Sequence, residues 1–137
     1  MPGTTVYLEA SKRTQDLLNI KWMLRSAGYA IGSTWHEEQP GSLAPREHWN
    51  RDVEQLQFCD GLVVICPAED ASAAELALMA GFALARGLQV TWIGAPLRSL
   101  AGFKAVEQFN TVEDYRKQAP QQKMYSRPVF EVERFAA

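Results

Sequence analysis

Acidic and hydroxyl side chains gather at one strand-to-helix junction of this chain. Leu62-Val63-Val64-Ile65-Cys66 is a wholly apolar run; a polar segment with Glu69 and Asp70 follows, and Ser72-Ala-Ala-Glu75 opens an alanine-rich stretch that ends at Arg86-Gly87. A second apolar run, Leu88 to Ile93, closes the unit. Strand, loop, helix and strand read as one βαβ crossover, and open parallel sheets bind ligands where strands give way to helices. Glu69, Asp70, Ser72 and Glu75 therefore stand where a polar ligand belongs. Glu75 has a second reading from spacing alone. Three residues after Ser72, it completes a capping box that satisfies a backbone donor at the helix start.

The elements that must position these groups follow from periodicity. Residues 4–9 (TTVYLE) are rich in β-branched and aromatic types and read as a first strand. Residues 11–27 read as a helix with Leu17, Ile20, Trp22, Met23 and Leu24 on its apolar face and Gly28 as its stop. Residues 29–35 read as a second strand interrupted by Gly32, and residues 36–46, with two prolines and a glycine, as a loop able to cover a pocket. Residues 47–59 form the next helix, which carries Asp52 and leads through Asp60-Gly61 into the apolar strand at 62–66. A short strand at 105–109 and a helix at 112–117 complete the series. This order predicts an α/β fold of the flavodoxin-like or Rossmann-like kind: an open, mainly parallel five-stranded sheet flanked by helices, with strand order 2-1-3-4-5. Its crevice, between the first and third strands, brings Tyr7, Glu9 and Ser11 toward Asp70, Ser72 and Glu75. Residues 1–117 are expected to form the domain. Residues 118–137 form a tail whose Val129, Phe130, Val132 and Phe135 pack on the domain or on a partner subunit.

Composition narrows the class. The chain has 137 residues, 47% hydrophobic and 22% charged, with a net charge of −2 and no basic block, which argues against a nucleic-acid partner. No apolar run approaches a membrane span and the N-terminus lacks a signal-peptide pattern, so a cytoplasmic protein without a membrane partner is expected. Cys59 and Cys66 match no metal motif and read as packed, reduced thiols. His48 and Asp52 share a helix face, but two ligands do not make a metal site, and none is expected.

The pattern Tyr-Leu-Glu-Ala-Ser after the first strand, Asp52-x3-Leu56-x2-Cys59-Asp60 before an apolar strand, then Ser72-x2-Glu75 and Gly81-Phe-Ala-Leu-Ala-Arg-Gly87, resembles the nucleoside 2-deoxyribosyltransferase superfamily, which includes deoxynucleoside 5′-monophosphate N-glycosidases. The resemblance spans roughly residues 6–114. It implies cleavage or transfer of an N-glycosidic bond on a 2′-deoxynucleoside or its 5′-monophosphate, without a cofactor. It further implies Glu75 as nucleophile, Asp52 in support and Tyr7 placing the nucleophile, with a homo-oligomer whose neighbouring subunit helps complete the site. A carboxylate suits this role because it can form a covalent glycosyl intermediate, while a second carboxyl group serves the departing base. Glu9, Ser11, Arg13, Trp35, Trp49, Asp70 and Ser72 are the expected substrate contacts: the tryptophans flank the 36–46 loop and can stack on a base, and Lys12 and Arg13 can meet a phosphate. Two departures stand out. The family's usual glutamate, two residues before the glycine, is Met79 here, one helical turn after Glu75; and Glu9-Ala-Ser-Lys-Arg13 replaces a glycine-rich turn. A noncatalytic nucleotide- or nucleoside-binding module on the same fold is the alternative that Met79 leaves open.

Overall fold

A computed structural model of the chain describes residues 4–39, 41, 43–67, 73–95, 98–100 and 102–118. It contains five strands, β1 (Thr5–Ala10), β2 (Ala30–Ile31), β3 (Gly61–Cys66), β4 (Gln89–Gly94) and β5 (Val106–Phe109). They form one sheet in the order β2-β1-β3-β4-β5, with every pair parallel. The helices are α1 (Gln15–Ser26), α2 (Pro45–Gln57), α3 (Ala73–Ala85) and α4 (Val112–Gln118). Strand order and fold class are those that the sequence predicts. No helix among the described residues is long and apolar enough to cross a membrane.

Strand alternation sorts the core into two layers. On β1, Val6, Leu8 and Ala10 pack with Leu17, Ile20 and Leu24 of α1 and Tyr115 of α4. Tyr7 faces the other layer, with Leu56 of α2 and Leu76, Met79, Ala80 and Ala83 of α3. Side chains two apart on a strand share a face, so Glu9 follows Tyr7 onto the α2/α3 side, but at the strand's C-terminal end. There the apolar layer runs out and a carboxyl group can stand.

Three expectations about boundaries are corrected. The second strand is two residues long rather than seven, because side chains take over the edge of β1. Ser33 Oγ accepts from Leu8 N at 3.0 Å, and Trp35 Nε1 donates to Leu8 O at 2.7 Å. These bonds replace a backbone ladder and let the chain turn into a 3-10 helix, Trp35–Glu37, inside the expected strand and loop. Gly32 allows the close approach before that turn: a Cβ there would lie 2.6 Å from Cys59 Sγ.

The first helix starts at Gln15 rather than Ser11. Thr14 is its N-cap and accepts from Leu17 N at 3.3 Å, so residues 11–13 precede the helix and line a cleft. Trp22 does not belong to the apolar face of α1. It is 61% exposed beneath the Arg25 guanidinium. Lys21 is buried in its place, next to Leu17, Ile20 and Leu24 on the sheet-facing stripe, and its Nζ reaches Glu37 at 2.5 Å. Cys59 and Cys66 are both buried and unbridged, and burial, then Asp60, push the Cys59 thiol up to about 12.

Candidate active site

The C-terminal end of β1 meets the exposed turns of α2 and α3. Along α2, Pro45, His48 and Asp52 recur at helical spacing. On α3, Glu75 and Met79 are one turn apart. Together with Glu9 they line a cleft of about 480 Å³, with Trp49 and Leu78 at its rim. An adjoining cleft of about 600 Å³ shares Glu9, Ala10, Ser11, His48 and Asp52 and is completed by Lys12, Arg13, Trp35, Glu38 and Arg51. Both clefts open at the C-terminal end of β1, one of the two strands between which the strand order reverses, and open α/β sheets bind ligands at such reversals. A third cleft, of about 610 Å³, is lined by the C-terminal ends of β3 and β4 and by residues of α1 and α4.

Of the residues expected at the site, Glu9, Ser11, Trp49, Asp52 and Glu75 line the first cleft, and Glu9, Ser11, Arg13, Trp35 and Asp52 the second. Trp35 and Trp49 do not flank a single loop cavity; each serves a different cleft, and the Trp35 indole N–H is committed to Leu8 O. Arg13 Nη2 donates to Glu38 O at 2.6 Å, so its side chain lies across the second cleft. Tyr7 lines neither cleft. It is fully buried beneath them, and its hydroxyl has no well-formed hydrogen bond among the described residues. Asp70 and Ser72 lie outside the described residues, as does the tail, and with Ser72 goes the partner that the capping-box reading of Glu75 requires. Met79 is 2% exposed and belongs to the α3 core, whereas Glu75 is exposed.

One residue organises the electrostatics, and sequence reasoning missed it. Arg51 donates from Nε and Nη2 to Asp52 Oδ1 at 3.0 and 2.9 Å and pairs through Nη1 with Glu38. Its Nη2 also lies 3.3 Å from His48 Nδ1. A guanidinium only donates, so His48 Nδ1 accepts, and a neutral His48 carries its proton on Nε2. The His48-x-x-Arg51 spacing was legible in the sequence; Glu38, from the 3-10 turn, was not.

Asp52 thus has a cation of its own, and Glu75 has solvent. Glu9 is half-buried: its Oε1 accepts from Ala10 N at 3.1 Å, and no ion pair reaches it among the described residues. Burial first, then the neighbouring Asp52 and Glu75 carboxylates, push the Glu9 carboxyl up to about 8. Burial, with Glu9 and Asp52 close by, likewise holds the Tyr7 phenol far above its ordinary range, so it remains a neutral O–H donor. No group of three or more His, Cys, Asp or Glu side chains among the described residues is arranged to hold a metal ion.

No family model matches the chain, and no curated protein matches its sequence. Solved structures do match. A CMP N-glycosidase from Clostridium botulinum superimposes with a TM-score of 0.67 at 18% identity, covering 87% of this chain and 100% of the other. A 2-deoxyribosyltransferase from Bacillus psychrosaccharolyticus does so with a TM-score of 0.65 at 17% identity, covering 93% and 100%. Strand order and both likenesses agree: the chain shares the α/β fold of these two enzymes.

Proposed function

We propose that this protein cleaves or transfers the N-glycosidic bond of a nucleoside or its 5′-monophosphate. The observation that carries the reading is the convergence of Glu9, Asp52 and Glu75, from three separate elements, on one cleft at the C-terminal end of β1. Glu75 attacks the anomeric carbon and displaces the base. Asp52, hydrogen-bonded to Arg51, faces the positive charge that develops on the sugar. Tyr7, from below, offers a neutral hydroxyl to the carboxyl groups and positions them. Ser11, Lys12 and Arg13 give the adjoining cleft the polarity to receive a 5′-phosphate. Trp49 and Leu78, 40% and 61% exposed at the rim, supply apolar surface that a second copy of the chain would cover.

The test is chromatographic. Common deoxynucleosides and ribonucleosides and their 5′-monophosphates are incubated with the protein, with and without a second free base. Base release identifies a hydrolase, and base exchange a transferase. A noncatalytic binding module is favoured by one observation: Met79, buried in the core, occupies the place of the family's usual glutamate. Calorimetric binding of a nucleotide with neither release nor exchange would select that reading.

A further inference from the structure

The proposed reaction leaves one need unmet, since a nucleobase departs poorly as an anion and a group must hold a proton for it. Glu75 is taken up as the nucleophile, and Asp52 is engaged by the Arg51 guanidinium. Glu9 is different. It is set by strand alternation on the α2/α3 side, lines both clefts, and is pinned only at Oε1 by the Ala10 amide. The charged and titratable groups around it are Tyr7 on β1, Glu38 after the 3-10 turn, His48, Arg51 and Asp52 on α2, Glu75 on α3, and Lys12 and Arg13 after β1. Among the described carboxyl groups of the first cleft it is the one both partly buried and without a bound cation, and burial of an unpaired carboxylate favours its neutral form.

We propose that Glu9 is the general acid–base of this cleft, protonating the base as it leaves; the assignment rests on the function proposed above. In the first step the Glu75 carboxylate forms a bond to C1′, the C1′–N bond breaks, and the Glu9 proton passes to the departing ring nitrogen. In the second, Glu9 as carboxylate takes a proton from water while the water oxygen bonds to C1′. The glycosyl ester opens, Glu75 returns as carboxylate and Glu9 as acid. The sequence Tyr7-Leu-Glu9 thus places a buried positioning phenol and a proton donor on one strand face.

The experiment compares wild type with Glu9→Gln, which can still accept from Ala10 N, on two substrates in single turnover. One is an ordinary deoxynucleoside or its monophosphate. The other is the N7-methylated guanine counterpart, whose cationic base leaves without a proton. Glu9→Gln is expected to slow base release from the first by about 10²- to 10⁴-fold and from the second by less than about tenfold. In wild type, release from the ordinary substrate should fall as pH rises through about 8, while release from the methylated substrate should follow only the ionisation of its own guanine N1–H. Equal slowing of both substrates, or no slowing of either, overturns the assignment while leaving the N-glycosidic reading intact. Should wild type release base from neither substrate, the reading fails and this assignment fails with it. If Glu9→Gln does not fold by circular dichroism, the wild-type pH contrast between the two substrates decides alone.

Discussion

Arg51 grips the carboxylate of its own sequence neighbour: Nε and Nη2 both donate to Asp52 Oδ1, at 3.0 and 2.9 Å, and both side chains are 17% exposed. The pair gives one carboxyl group of the cleft a cation partner. Replacing Arg51 with Met should therefore do two things. It should cost about 1.5–3 kcal/mol, as expected for hydrogen bonds to a charged group that is only partly solvated, which denaturant melts would show. It should also move the upper pH limit of turnover further up, because removing a cation favours the protonated form of Glu9. A downward move would mean that Arg51 does not act through these carboxyl groups.

Glu75 is exposed at the start of α3. Substitution by Ala should change stability by no more than about 0.5 kcal/mol, yet reduce base release by at least about 10³-fold if it is the nucleophile. Thermal melting and single-turnover assays on one preparation separate the two effects. A large stability loss with turnover retained would identify Glu75 as a helix cap.

Glu9 carries a stability signature independent of activity. Its carboxyl is raised from 4.5 to about 8, so between those values the folded chain binds more protons than the unfolded one. Stability from this group is present at the acid end and is lost as pH rises through that window. Glu9→Gln should flatten the wild-type decline between about pH 4.5 and 8 and melt higher than wild type above it. Parallel curves for the two proteins would show that Glu9 is not held neutral.

Ser33 is 2% exposed and its hydroxyl accepts from Leu8 N while lying 3.1 Å from His36 Nε2. Ser33→Ala strands the buried Leu8 amide on β1, between Tyr7 and Glu9 on the site-bearing strand. A loss of about 1–3 kcal/mol is expected, along with faster hydrogen exchange at Leu8. Unchanged exchange there would mean that another group caps the strand edge.

The apolar runs at 62–66 and 88–93, with the amphipathic helices between and around them, determined the parallel sheet and its order, because period-2 and period-3.6 patterns leave few ways to bury every apolar face. The same patterns put Asp52 and Glu75 at helix positions near one crevice. They did not set the length of β2, which depends on two side-chain bonds to Leu8 from residues 33 and 35. Nor did they separate Trp22 from Lys21, since a long aliphatic stem can take an apolar position as well as an indole can. The state of each carboxyl group was undetermined too. Glu9, Asp52 and Glu75 are alike as carboxylic acids, and only their packing, which gives one an arginine, leaves one exposed and half-buries the third without a cation, makes them chemically different.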